Sequence, residues 1–166
     1  RGNFTKKTID ENEKLACLFS GGKDSVLALH VMHNMNYKIS CLVTIDSKNK
    51  DSYMYHTPTM NLVELQSKAL EIPLIKVATK GKKEIELSSL KKALQIAKKR
   101  YNINGVITGA LYSTYQRDRV ERISDELGLK VFSPLWHKLQ DEEVNELINL
   151  GIKPIFLLII TLTTIL

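Results

Sequence analysis

The chain has 166 residues, enough for one α/β domain, and its 43% hydrophobic and 25% charged residues describe an ordinary globular core under a solvated surface. The formal net charge of +6 suits a polyanionic ligand such as a nucleotide, or an acidic macromolecular partner. The two cysteines, Cys17 and Cys41, each sit inside an apolar run and form no C-x-x-C pair, which reads as two buried thiols of a reducing cytosol and argues against structural zinc.

The first fourteen residues are polar and read as an extension, with no apolar stretch and cleavage site of a secretory signal. Leu15–Phe19 is expected to be a short buried strand, followed by a helix over Ser25–Met35. Ile39–Ile45, rich in β-branched residues, is a second strand, Thr59–Leu70 a helix, and Pro73–Val77 a third strand. Leu90, Ala93, Leu94, Ala97 and Tyr101 fall at helical spacing on one face of a helix over Ser88–Tyr101. Gly105–Thr108 is a fourth strand. A helix over Gln116–Leu127 turns Val120, Ile123 and Leu127 inward and ends at Gly128. Val131 and Phe132 mark a fifth strand stopped by Pro134, and Asp141–Leu150 a last helix closed by Gly151.

This alternation predicts an α/β fold, a Rossmann-like parallel five-stranded sheet with helices on both faces, in one domain over residues 15–153. The tail, residues 154–166, is apolar except for its threonines and lacks the length to cross a bilayer, which takes about 20 apolar residues, so no membrane association is expected.

Sheets of this kind bind ligands at the carboxyl ends of their strands. The segment Ser20-Gly21-Gly22-Lys23-Asp24-Ser25 lies at the first strand-to-helix turn. Its glycines let the backbone turn tightly and expose N–H groups, and the positive end of the following helix points at them. That combination makes an anion site. Ser20 and Ser25 add hydroxyl donors, and Lys23 adds a cation. Asp24 suits either a Mg²⁺ bridge to pyrophosphate oxygens or a helix cap. The adjacent glycines fit neither G-x-x-x-x-G-K-[ST] nor G-x-G-x-x-G.

The hexapeptide resembles the PP-loop of the ATP pyrophosphatase superfamily, whose members split ATP between the α- and β-phosphates. Asp51–Pro58, Gly109–Arg122 and Leu129–Trp136 extend the likeness, and together they resemble diphthine–ammonia ligase from about Leu15 to Gly151. The resemblance implies a cytoplasmic enzyme with ATP and Mg²⁺ that adenylates the diphthine carboxylate of translation elongation factor 2. Ammonia then displaces AMP to give the amide, with no direct nucleic-acid partner. It also implies that the chain departs from the family after Gly151, so that 154–166 is a truncated or altered end of a further subdomain.

Further candidates follow from the loops. Gly109 permits a close approach of backbone to nucleotide. Ser113 and Gln116 can hydrogen-bond a phosphate or substrate oxygen. Arg119 and Arg122 can share a helix face, and Arg119 is the better candidate to neutralise charge on the α-phosphate. Tyr55 and His56 are candidate substrate contacts, although a histidine there can equally bond a backbone group in a turn. Catalysis would rest on Lys23, Asp24 and Arg119. A tRNA-modifying PP-loop enzyme and a non-catalytic ATP-binding module are the alternatives.

Overall fold

A computed structural model describes residues 13–47, 60–79, 83–110, 114–137 and 139–151. Its elements are β1 (Lys14–Leu18), α1 (Lys23–Asn34), β2 (Lys38–Ser47), α2 (Met60–Ala69) and β3 (Leu74–Thr79). They continue with α3 (Lys83–Tyr101), β4 (Gly105–Ile107), α4 (Thr114–Glu126), β5 (Lys130–Phe132) and α5 (Gln140–Asn149). All strand pairings are parallel, in the order β3-β2-β1-β4-β5. The chain begins in the middle of the sheet, winds outward to β3, then crosses to the other side of β1. The winding reverses between β1 and β4, which opens a crevice there at the strands' carboxyl ends.

Both faces of the sheet are covered, and the strand residues alternate between them. Ala16, Cys41, Val43, Ile45 and Val106 pack with α3 and α4, through Leu87, Leu90, Leu94, Val120 and Ile123. Leu15, Cys17, Leu42 and Ile107 pack with α1, α2 and α5, through Leu27, Leu29, Val63 and Leu147. Leu90 and Leu94 are fully buried; each such side chain removed from water stabilises by about 1.5–3 kcal/mol. The sequence expectation of a parallel five-stranded sheet with helices on both faces is met.

All five described helices stop at a left-handed residue: Asn36, Glu71, Asn102, Gly128 and Gly151, with φ of 63°, 56°, 51°, 64° and 74°. After α1, α2 and α4 the next residue closes the turn, Tyr37 N–H to Met32 O, Ile72 N–H to Ser67 O and Leu129 N–H to Ser124 O, satisfying carbonyls the helix leaves open. The largest boundary difference is α3, which starts at Lys83 and not Ser88. Leu87 continues its buried stripe one turn earlier, and Ser88 Oγ bonds back to Ile85 O at 2.8 Å inside the helix. No described helix is long and apolar enough to cross a membrane. Of the expected extension, residues 1–14, Lys14 opens β1 and residues 1–12 lie outside the described residues, as does the whole expected tail, residues 154–166.

Candidate functional site

The turn after β1 is wired largely to itself. Phe19 is still pinned to β2, its N–H donating to Val43 O at 2.9 Å and its carbonyl accepting from Thr44 Oγ1 at 2.6 Å. At Gly21 the backbone takes φ +75°, a left-handed conformation that favours glycine. Gly22 is extended (φ −78°, ψ 164°) and precedes α1 with no side-chain cap. Its carbonyl accepts from Val26 N–H at 3.1 Å and from Ser25 Oγ at 2.9 Å. Three other contacts are looser. Gly22 N–H donates to Ser20 Oγ at 3.3 Å, Ser20 N–H donates to Ser25 Oγ at 3.3 Å, and the two hydroxyls stand 3.2 Å apart. N–H···O bonds centre near about 2.9–3.0 Å, so these donors are held weakly and can turn to a better acceptor at little cost. Lys23 and Asp24 form an ion pair in the first turn of α1.

Beside this turn lies a cleft of about 190 Å³. Ser20, Asp24 and Ser25 form one wall, Thr108, Gly109 and Ala110 after β4 another, and Gln116 on α4 a third. Leu18, Val43, Ile45 and Val120 give it an apolar side continuous with the core under α3 and α4. A polar, donor-rich end joined to an apolar slot is the arrangement a nucleotide needs. Gly21, Gly22 and Lys23 do not line the cleft, but Gly22 is exposed and touches its wall through Ser20.

Among the sequence candidates, Ser20, Asp24, Ser25, Gly109 and Gln116 are therefore brought together. The reason for glycine at 109 differs from the one expected. A Cβ there would lie 2.9 Å from the Asp24 carbonyl carbon, 3.0 Å from its oxygen and 3.0 Å from Ser25 N. The close approach is thus to the first turn of α1, so Gly109 keys the β4 loop against the Ser20–Ser25 turn. Arg119 does not line the cleft. Its guanidinium lies over the Tyr115 ring, 3.3 Å from the centroid, and NH1 donates to Tyr115 O at 3.2 Å. It borders a separate pocket with Leu87, Asp118 and Arg122, as the shared face of Arg119 and Arg122 implied. Arg117 turns elsewhere, pairing with Glu121 at 2.6 Å and stacking over Trp136. Tyr55, His56 and Ser113 lie outside the described residues.

Three residues of the site carry no clear sequence signal. Thr44 and Thr108 are buried polar side chains near the ends of β2 and β4, hidden in apolar runs. Gln66, on α2, donates from Nε2 to Gly21 O at 3.1 Å across a gap of 45 residues.

The thiols are chemically quiet. Cys17 lies under the loop, its Sγ 3.9 Å from Ser25 O. Burial, with the neighbouring Cys41 adding, pushes its pKa far above the usual thiol range. Burial pushes Cys41 up to about 12. Neither supplies a thiolate nucleophile near neutral pH.

Residues 13–131 match the family model described as the diphthamide synthase N-terminal domain. The chain belongs to this family. Among its relatives, the diphthine–ammonia ligase of Mus musculus is 30% identical over 162 residues, covering 87% of this chain and 61% of that protein. The Saccharomyces cerevisiae diphthine–ammonia ligase is 32% identical over 153 residues, covering 81% of this chain and 22% of that one. The chain thus spans 61% of the length of its mouse relative. Two solved structures share the fold at 19% identity. One is the U34-tRNA thiolase NcsA from Methanococcus maripaludis, with a TM-score of 0.54 over 86% of this chain and 57% of that one. The other is described as a predicted subunit of tRNA methyltransferase from Methanocaldococcus jannaschii, with a TM-score of 0.53 over 81% and 73%. At that identity the likeness establishes the architecture of this diphthamide synthase domain and leaves its chemistry to the site.

Proposed function

We propose that the chain is the ATP-activating part of a diphthine–ammonia ligase, acting on the diphthine carboxylate of translation elongation factor 2 in the cytoplasm. The observation that carries this reading is the turn Ser20–Ser25 beside the cleft at the β1/β4 reversal, in a chain of the diphthamide synthase family. ATP is needed because a carboxylate repels nucleophiles and has a poor leaving group. Its oxygen attacks the α-phosphorus, the bond to the β-phosphate breaks and pyrophosphate leaves. Ammonia then attacks the acyl carbon, AMP departs with the C–O electron pair, and loss of a proton leaves the amide.

The chain's own groups suit the holding and orienting. The Gly22 amide and the Ser20 hydroxyl, now spent on contacts of 3.2–3.3 Å, would turn to the β,γ-phosphates, and the Ser25 hydroxyl would join them by leaving its 2.9 Å bond to Gly22 O, helped by the positive end of α1. Lys23, paired with Asp24, would follow them as a cation. Asp24 is the carboxylate of the cleft wall, and one carboxylate plus phosphate oxygens suffices for Mg²⁺, which keeps most of its waters. The apolar side formed by Leu18, Val43 and Ile45 would take the adenine ring. Gln116 would bond the reacting oxygens from α4, with Tyr55, His56 and Ser113 completing the acceptor side as the sequence reading suggests. Arg119 would neutralise charge on the α-phosphate only by leaving Tyr115.

The test incubates the chain with ATP, ammonium and an elongation factor carrying diphthine. AMP release in step with the mass change from carboxylate to amide, about one dalton lower, supports the reading. Neither product forming while ATP stays bound would leave a nucleotide-binding module and refute the ligase assignment for this chain.

A further inference from the structure

We infer that Gln66 is a positioning residue that keeps the Gly21–Gly22 peptide turned with its N–H toward the phosphate site, an inference that rests on the nucleotide reading proposed above. A trans peptide is planar, so its C=O and N–H point in opposite directions, and no described peptide is cis. Whatever holds the Gly21 carbonyl therefore aims the Gly22 amide. Gln66 Nε2 holds that carbonyl toward α2 at 3.1 Å, and the Gly22 N–H accordingly faces away from α2, onto the hydroxyl of Ser20 in the cleft wall.

The peptide needs such a hold. It joins two glycines, the residues with the least steric resistance to rotation of the peptide plane. A flipped peptide would replace the amide donor with a carbonyl oxygen on the phosphate side, removing one attraction and adding one repulsion.

The base of Gln66 is well anchored. Val63, one turn earlier on α2, is fully buried in the core, and a Cβ at Gly21 would lie 3.1 Å from its Cγ2. The same imagined Cβ would lie 2.5 Å from Gln66 Oε1, so the amide rests directly on the Gly21 backbone. That Oε1 is buried with no donor among the described residues. It is where a flipped Gly22 N–H would find an acceptor, so which end of the side-chain amide faces the peptide decides which way the peptide points.

Two variants separate this role from plain packing. Gln66→Met keeps the length and removes the donor. Gln66→Glu keeps the shape and replaces the donor with a carboxylate that repels the Gly21 carbonyl and accepts from a flipped Gly22 amide. The readouts are ATP affinity by titration calorimetry, the melting temperature, and the Gly22 amide resonance in the absence of nucleotide. We expect roughly fivefold to tenfold weaker ATP binding for Gln66→Met, the loss of one neutral hydrogen bond, and a larger loss for Gln66→Glu. The Gly22 resonance should move in both while the melting temperature stays within a few degrees of wild type. Wild-type ATP affinity and an unmoved Gly22 resonance in both variants would overturn the role of Gln66 alone. A wild-type protein that binds no ATP would instead overturn the nucleotide reading itself.

Discussion

Replacing Gly109 with alanine adds one carbon at a point where the β4 loop and the start of α1 already touch. The added Cβ would meet backbone atoms at 2.9, 3.0 and 3.0 Å, none of which can rotate out of the way. Unstrained carbon contacts begin near about 3.5 Å, so the two segments must separate by about 0.5 Å. Forced overpacking of this size costs about 1–3 kcal/mol. In a chain of 166 residues, at roughly 2–4 °C per kcal/mol, the melting temperature should fall by about 2–12 °C. The displacement also falls on Asp24 and Ser25, in the cleft wall, and ATP affinity should drop roughly tenfold as the donors lose their aim. Differential scanning calorimetry and an ATP titration on Gly109→Ala read both effects. A variant that melts lower yet binds ATP normally would show that the strain escapes into the β4 loop, and the idea that Gly109 keys the two walls together would be wrong.

Other perturbations follow from the same geometry. The buried thiols keep their protons in the folded protein above the ordinary thiol value of 9.0, with Cys41 pushed up to about 12, while an unfolded chain releases them. Their contribution is complete below pH 9.0 and is lost as pH rises toward 12. At pH 10 each thiol should cost on the order of 1 kcal/mol, and a Cys17→Ala, Cys41→Ala double variant should lose less urea stability between pH 8 and 10 than wild type; equal losses would contradict the burial argument. Glu71 ends α2 at φ 56° with an exposed side chain. Glu71→Gly relieves about 1–2 kcal/mol of left-handed strain and gives back part of it as unfolded-chain entropy, for a net gain of about 0.5–1 kcal/mol in a denaturant titration. A destabilised variant would show that Glu71 makes a contact worth more than its strain.

Much of this architecture is legible in the sequence because its signals are local. Apolar runs such as Leu15–Phe19 and Ile39–Ile45 mark strands buried on both faces, and Gly128 and Gly151 mark helix ends. Glu71 shows the limit: glutamate carries no left-handed preference, and the packing of Ile72 and Leu74 beyond it sets the turn. The early start of α3 is hidden because its first turns mix charges with a buried Leu87 and a buried Glu86, so the apolar stripe thins where the helix begins. Within the site, the hexapeptide announces its own backbone conformation, and five of the candidates do line one cleft. Gln66 could not be read, because its meaning is a distance of 3.1 Å to a residue 45 positions away. Arg119 is a catalytic candidate by its charge and its helical spacing to Arg122, and neither signal carries the hold of Tyr115, one turn earlier, on its guanidinium.

The account turns on the free side of Gly22 being ligand space. Its φ of −78° is open to any residue, and a Cβ there would meet nothing nearer than Ser20 Oγ at 3.3 Å, so the fold alone does not demand glycine. Titration calorimetry of Gly22→Val with ATP and Mg²⁺, alongside its melting curve, is the direct test. A cap change of this kind typically costs about 1 kcal/mol, so the protein should melt within a few degrees of wild type and yet show no measurable ATP binding. A Gly22→Val protein that binds ATP as tightly as wild type would place the phosphates somewhere else.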